Sequence, residues 1–418
     1  MTRHRVVVTV TPMTPIRRER RTLIRTSARG LVAITASAAA VAGMFVAGAA
    51  AHAAAPLQVT TVAGGLTIPW GAVVAPDGTV LTGERAGRFV AVRPGGQRVN
   101  VNADLSKIFE VNEAGLMGLA LDPRFSDNRR VYSCQAEYTV PGAFAVPEPL
   151  AGAPIPAPQT GQTTRVVSWR VSADWTRMLR ERTLLSGIPV NSSGSRAGCG
   201  LAVTADSMWV GTGDSGIPSV AQDRKSLGGK VLHIGLDGRP APGNPDPRSP
   251  VYSLGHRNVQ GVAVAPGSGR VYGIEQGTSR DDELNLIVAG GNYGYRPDRT
   301  PLIYDESVPM TDAVRVPGAI GPVWSSGAPT IATPGLAFLP DSGWGPYSGG
   351  LVVTALKGQR LVFLKLSEDG RRVVSKTEAL ENAHGRLRGA AVAPDGSLVL
   401  TTSDGDGSDR ILRVRWAG

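Results

Sequence analysis

The stretch Gly389–Trp416, GAAVAPDGSLVLTTSDGDGSDRILRVRW, reads as two short apolar runs joined by an Ala-Pro-Asp-Gly turn, with a third run after a glycine- and aspartate-rich loop. Proline presets φ for such a turn, and Asp-Gly supplies the positive φ that closes a hairpin. The pattern returns as GAVVAPDGTV from Gly71, GLALDPRFSD from Gly118 and GLAVTADSMW from Gly200. It returns again as GVAVAPGSGR from Gly261 and GLAFLPDSGW from Gly335. A hairpin of this kind cannot bury both faces alone. Repeated radially it makes a β-propeller, and six copies predict six blades in an all-β fold. A TIM barrel would need amphipathic helices between the strands, and a sandwich would not need the repeat. Leu57–Gly71 is expected to pair with the last blade and close the ring, because an open ring leaves strand edges bare.

The composition agrees with many short strands: 53 glycines and 31 prolines in 418 residues, with 42% hydrophobic and 19% charged residues. The formal charge of +10 is uneven, since residues 1–53 hold eight arginines against Glu19 and so account for +7 of it. The remaining +3 gives no nucleic-acid footprint. Only six of the 44 basic residues are lysine.

Residues 1–53 read as an export signal. An arginine-rich start precedes an apolar run from Leu31 to Ala50, and Ala51-His52-Ala53 has the small-x-small form of a cleavage site. The run is too rich in alanine and glycine for a good membrane anchor. Residues 54–418 would then form one propeller domain, secreted or held in the cell envelope, with no stable membrane span. Cys134 and Cys199 are the only cysteines. In an exported chain they are expected to pair, with two separate buried thiols as the alternative. Pro141–Gln162, rich in proline and alanine, breaks the rhythm and reads as a long loop inside one blade.

Chemistry gathers in Val251–Tyr295, VYSLGHRNVQGVAVAPGSGRVYGIEQGTSRDDELNLIVAGGNYGY. Arginine, amide and carboxylate groups lie there on loops between short strands, where binding groups tend to sit. The blocks GHRN-x-QG, E-x-G-x-x-x-DDE-L-NLI and GGNYG resemble, in order, the signature of the soluble quinoprotein sugar dehydrogenases, the glucose/sorbosone dehydrogenase family. The resemblance covers Leu66 to Arg415.

It implies a pyrroloquinoline quinone (PQQ) cofactor over the central channel, a bridging calcium ion, a sugar or polyol substrate and an external electron acceptor. PQQ carries three carboxylates, so its site should be rich in arginine and lysine. The matching cofactor positions are Glu113, Arg257, Asn258, Lys357, Arg386 and Arg388. Backbone oxygens of Gly277 and Thr278 match the bridging calcium, with Thr278 where a proline is common. Glu283 and the Tyr293 carbonyl match a second, structural calcium.

One block departs from the pattern. The family's general base is a histidine in H-x-G-G-R-[LI]. Aligned through Leu201, that position holds Arg196, and the block's arginine is Gly200. Arginine stays protonated and cannot take a proton from a hydroxyl. Asp214 still matches the carboxylate that orients the histidine, and a raised pKa would let it serve as the base itself. Of the other histidines, His233 and His256 read as structural and His384 lies near the cofactor arginines. Two readings compete: a PQQ dehydrogenase slowed by the loss of its base, and a propeller that keeps the scaffold as a carbohydrate- or protein-binding module. A calcium-dependent propeller hydrolase would need carboxylate ligands inside the channel, where the motifs are basic instead.

Overall fold

The computed structural model describes residues 56–139, 161–300 and 303–418. The export-signal reading of residues 1–53 and the body of the 141–162 loop therefore lie outside the described residues. Tyr138 pairs with Gln162, so that insertion begins and ends on neighbouring strands of one sheet.

Six four-stranded antiparallel sheets form six blades, as the repeat predicts. Their innermost strands are Pro69–Val74, Leu116–Leu121, Gly198–Val203, Val259–Val264, Leu336–Phe338 and Leu387–Val392. Each inner strand contacts the next, and the sixth returns to the first. The second strands Val80–Glu84, Ser207–Thr212, Val271–Glu275, Leu351–Ala355 and Leu398–Thr402 are buried along their whole length. Neighbouring blades cover both their faces, which is why they read as near-continuous apolar runs. Aromatic pairs fill the seams, as where Phe89 meets Trp169 edge-on at 5.5 Å between the first two blades. The described residues include one four-residue α-helix, Phe125–Asn128, and no helix long and apolar enough to cross a membrane.

The glycine that opens each repeat lies on an inner strand or, for Gly335, immediately before one, and crowding at the axis explains five of the six. A Cβ on Gly118 would sit 2.1 Å from the Cys199 carbonyl oxygen, and one on Gly335 would sit 2.3 Å from that of Arg388. Side chains at these positions would push the inner strands apart. Gly71 alone of the six has open space, with nothing within 4 Å. All six glycines line one axial cavity of about 80 Å³.

Leu57–Leu66 closes the ring by pairing with Asp409–Trp416, from Leu57 opposite Trp416 to Leu66 opposite Asp409. The expected closing segment is thus shorter than Leu57–Gly71, because Pro69 already begins the first blade. Asp409 pins the junction. Its buried carboxylate accepts from Ile68 N at 2.8 Å and from Thr402 Oγ1 at 2.8 Å. Cys134 and Cys199 form a disulfide with Cα atoms 5.5 Å apart, joining the second strand of blade 2 to the inner strand of blade 3.

Candidate functional site

Strands in each blade alternate in direction, so the approach to the inner strand and the turn between the second and third strands share one end of the propeller. The approaches carry Glu113, Arg196, Arg257, Asn258 and Arg386, and Arg388 follows at the start of its inner strand. The turns carry Asp214, Gly277, Thr278 and Lys357. Every sequence-derived cofactor residue therefore lies at the same mouth of the axial channel.

One cluster is built around Glu113. Its Oε2 accepts from Asn258 Nδ2 at 3.1 Å and from Gln260 Nε2 at 2.7 Å. Gln260 Oε1 in turn accepts from Gln276 at 3.1 Å and from Arg388 Nη1 at 3.4 Å. The Arg388 guanidinium lies 3.8 Å from the centroid of the Trp70 ring and donates to Ser403 Oγ at 3.0 Å. Burial holds its pKa down at about 9, against the opposing pull of Glu113. Arg386 donates to the Ser403 carbonyl at 3.1 Å, and Lys357 is exposed. Among the described residues none of these three cations has an ion-pair partner within 4.0 Å. A buried arginine held by a hydroxyl, an amide and an aromatic face, with no carboxylate in direct contact, suits an anionic ligand. The donor set thus fits the carboxylates of the quinone cofactor that the sequence implies.

A second cluster surrounds the position of the missing histidine. Arg196 sits on a left-handed turn at φ 53, followed by Gly198 at 69 and Cys199 at 80. Few residues with a Cβ adopt such angles, so the turn must be held from outside. The Cys199 disulfide and a hydrogen bond from Ser215 N to the Arg196 carbonyl at 3.2 Å hold it. Arg196 Nε lies 3.0 Å from Asp214 Oδ1 as an ion pair, although its N–H is not aligned for a hydrogen bond. The guanidinium also covers the Tyr304 ring at 4.7 Å, and Arg196 Nη1 contacts Glu306.

Asp214 is 0% exposed. Its oxygens accept from Gly216 N at 2.9 Å and Tyr304 OH at 2.8 Å. Burial pushes its pKa up, and Arg196 and Arg257 oppose that shift. With no exposed surface, Asp214 lies behind Arg196 and holds it, in the place of the carboxylate that orients the histidine in the family pattern.

Glu306, Tyr304 and Tyr295 were not singled out from the sequence. They lie on the excursion between the third strand of blade 4, Glu283–Ile287, and its fourth, Trp324–Ser325. The chain leaves at the far end and climbs beside Leu254–Gly255, with Leu254 N donating to Gly291 O at 3.0 Å and Tyr295 N to Gly255 O at 2.9 Å. A hairpin, Asp298–Thr300 with Ile303–Tyr304, then brings Glu306 into the mouth. Its carboxylate contacts Arg196 and Thr278, and lies 3.3 Å from Arg257 Nη2. Burial raises its pKa, but Arg257 and Arg196 outweigh that and hold it below the ordinary glutamate value. Arg257 also donates to the Gln276 carbonyl at 2.9 Å. Of these three only Tyr295, beside the GGNYG block, lay near a motif, and Gln260, also not singled out, lies inside GHRN-x-QG.

Among the described residues no three His, Cys, Asp or Glu side chains group as metal ligands. The calcium reading rests on backbone oxygens instead. The carbonyls of Gly277, Thr278 and Tyr293 accept no hydrogen bond among the described residues. Gly277 N donates to Asp282 at 3.0 Å, and a Cβ on Gly277 would meet the Arg280 carbonyl at 1.8 Å, so the loop curls tightly. Glu283 is buried with Thr311 Oγ1 3.2 Å from both its oxygens. Burial and the charge of Glu275 push its carboxyl up to about 8. These acceptor-rich, under-neutralised groups fit a hard cation.

His256 is structural. It is buried between Ser253 Oγ at 2.9 Å and Glu275 Oε1 at 2.8 Å, and stacks on Tyr293. His233 stacks on Trp209 and bonds Asn244 at 3.0 Å, away from the site. His384 sits on the loop before Arg386, where its carbonyl accepts from Arg410.

Known proteins share this architecture. The family model described as "Glucose / Sorbosone dehydrogenase" matches residues 66–413. An aldose sugar dehydrogenase of Escherichia coli K12 is 26% identical over 368 residues, covering 83% of this chain and 89% of that protein. The quinoprotein glucose dehydrogenase B of Acinetobacter calcoaceticus is 30% identical over 253 residues, 54% of this chain and 48% of that one. Among solved structures, the PQQ-bound aldose sugar dehydrogenase of Streptomyces coelicolor superposes with a TM-score of 0.68 at 30% identity, covering 86% of this chain and 98% of that one. With the family model spanning most of the propeller, the chain belongs to the glucose/sorbosone dehydrogenase family.

Proposed function

We propose that the protein is an exported, PQQ- and calcium-dependent dehydrogenase that oxidises a hydroxyl of an aldose or polyol and passes the electrons to an external acceptor. The observation that carries this reading is the set of unpaired cations, Arg388, Arg386 and Lys357, around the Glu113–Asn258–Gln260 network. Bound there, PQQ would supply a two-electron quinone oxidant. Arg388 and Arg386 would hold its carboxylates, and Arg257 and Asn258 would be the donors to charge that develops during hydride transfer. The open carbonyls of Gly277 and Thr278 are the candidate ligands for the calcium ion. Named relatives support the sugar class: one is an aldose sugar dehydrogenase and another a quinoprotein glucose dehydrogenase. Export is supported by the arginine-rich leader and by the disulfide, a bond rare in reducing compartments.

The test is a titration of purified protein with PQQ and calcium, following the quinone absorbance and then its bleaching by aldoses. Saturable binding followed by bleaching is the expected result. Binding without bleaching by any sugar favours the non-catalytic module, for which the replacement of the histidine by Arg196 speaks. No binding at all sinks the PQQ assignment.

A further inference from the structure

We propose that Trp70 is a positioning residue of the cofactor site, its indole face standing in for a counter-ion so that Arg388 stays buried, charged and free to take an anion. The inference rests on the dehydrogenase reading above and goes beyond it, by naming what keeps the site selective for a polyanionic quinone.

Three observations carry it. Trp70 is 5% exposed and Arg388 7%, so the contact between them is largely shielded from water. The guanidinium carbon lies 3.8 Å from the ring centroid, whereas the other four such contacts among the described residues lie at 4.7 to 6.0 Å. Close, desolvated cation–π contacts are the strong ones. The guanidinium also has five N–H groups. Among the described residues only two of its nitrogens find acceptors, Nε on Ser403 Oγ at 3.0 Å and Nη1 on Gln260 Oε1 at 3.4 Å.

A lone buried cation is costly, and burial pulls the Arg388 pKa down to about 9. A carboxylate in contact would offset that cost, but it would also cancel the charge that a ligand has to meet. An aromatic face attracts the cation through its quadrupole and carries no net charge. Trp70 thus stabilises Arg388 and leaves its whole charge, with the remaining N–H groups, to the ligand.

Glu113 is the competing partner. Gln260 stands between the two, donating to Glu113 Oε2 at 2.7 Å and accepting from Arg388. Held on the ring, Arg388 stays one amide away from that carboxylate. Without the ring it is free to pair with Glu113, and a quinone carboxylate must then displace an ion pair where it now meets an open cation.

The experiment reads PQQ affinity by absorbance titration with calcium present and sugar absent, so it does not depend on turnover. It compares wild type with chains whose Trp70 is replaced by mono-, di- and trifluorinated tryptophan. These keep the shape of the indole while draining its π face in steps, so folding is preserved across the series. Affinity should fall with each fluorine, by about 2- to 30-fold over the series, the range of a lost cation–π contact. Trp70→Phe should bind between wild type and Trp70→Leu. The loss from Trp70→Leu should shrink in a Glu113→Gln background, where no carboxylate competes for Arg388. A packing role for the indole would give neither the fluorine dependence nor that coupling. Equal PQQ affinity across the fluorinated series overturns the inference and leaves the dehydrogenase reading intact. An undiminished Trp70→Leu loss in the Glu113→Gln background overturns it as well, since the ring would not be what keeps Arg388 from Glu113. If wild type binds no PQQ, the dehydrogenase reading fails first and this inference with it.

Discussion

Arg196 Nε lies 3.0 Å from Asp214 Oδ1, and the aspartate beneath it has no exposed side-chain surface. Cutting the arginine back to alanine strands that carboxylate in a low-dielectric interior. Breaking a buried pair from one side costs about 3–5 kcal/mol. Arg196→Ala should therefore lose that much in chemical denaturation, and adding Asp214→Asn should return part of it. Equal stability of wild type and Arg196→Ala would show that the pair is not what holds the turn.

The inner-strand glycines make a matched comparison. A Cβ on Gly118 meets the Cys199 carbonyl at 2.1 Å, whereas one on Gly71 meets nothing within 4 Å. Gly118→Ala is expected to destabilise by at least about 1–3 kcal/mol, the range for overpacking a tight core. Gly71→Ala should be close to neutral. Thermal melts of the two variants check this, and equal melting temperatures would contradict the crowding argument.

Arg388→Ala removes a cation without breaking an ion pair. A hydrogen bond to a charged group contributes about 1.5–3 kcal/mol, so PQQ affinity should fall by roughly 10- to 100-fold. Equilibrium titration of the variant supplies the number. Unchanged affinity would place the cofactor's carboxylates elsewhere.

The Cys134–Cys199 bridge spans 65 residues. Replacing both cysteines by serine should cost about 2–4 kcal/mol. Urea unfolding measures that, and thiol titration of the unfolded, unreduced protein should find no free sulfhydryl.

The sequence made the blades legible because each repeat opens on a glycine, and axial crowding requires it in all but the first, as at Gly118 and Gly335. The mouth was legible wherever a residue sat inside a spaced motif, as Arg257, Asn258 and Arg388 do. Asp214 matched the carboxylate that orients the histidine, and the structure sets it against Arg196 at that position. Glu306 was invisible for a physical reason. It lies on an excursion with no repeat and no motif, and it reaches the site through tertiary pairing beside Leu254–Gly255. Local sequence patterns do not record that pairing.

The sixth blade also makes the mouth depend on a distant contact. Its edge strand, Leu57–Leu66, and that strand's partner, Asp409–Trp416, come from widely separated parts of the sequence. The bond from Ile68 N to Asp409 spans 341 residues. Closing so long a loop costs entropy before any contact repays it, so this junction is expected to form late in folding. Glu113, Arg257 and Arg388 share one mouth only in the closed ring, and a weakened junction would therefore loosen the whole site at once and not a single blade.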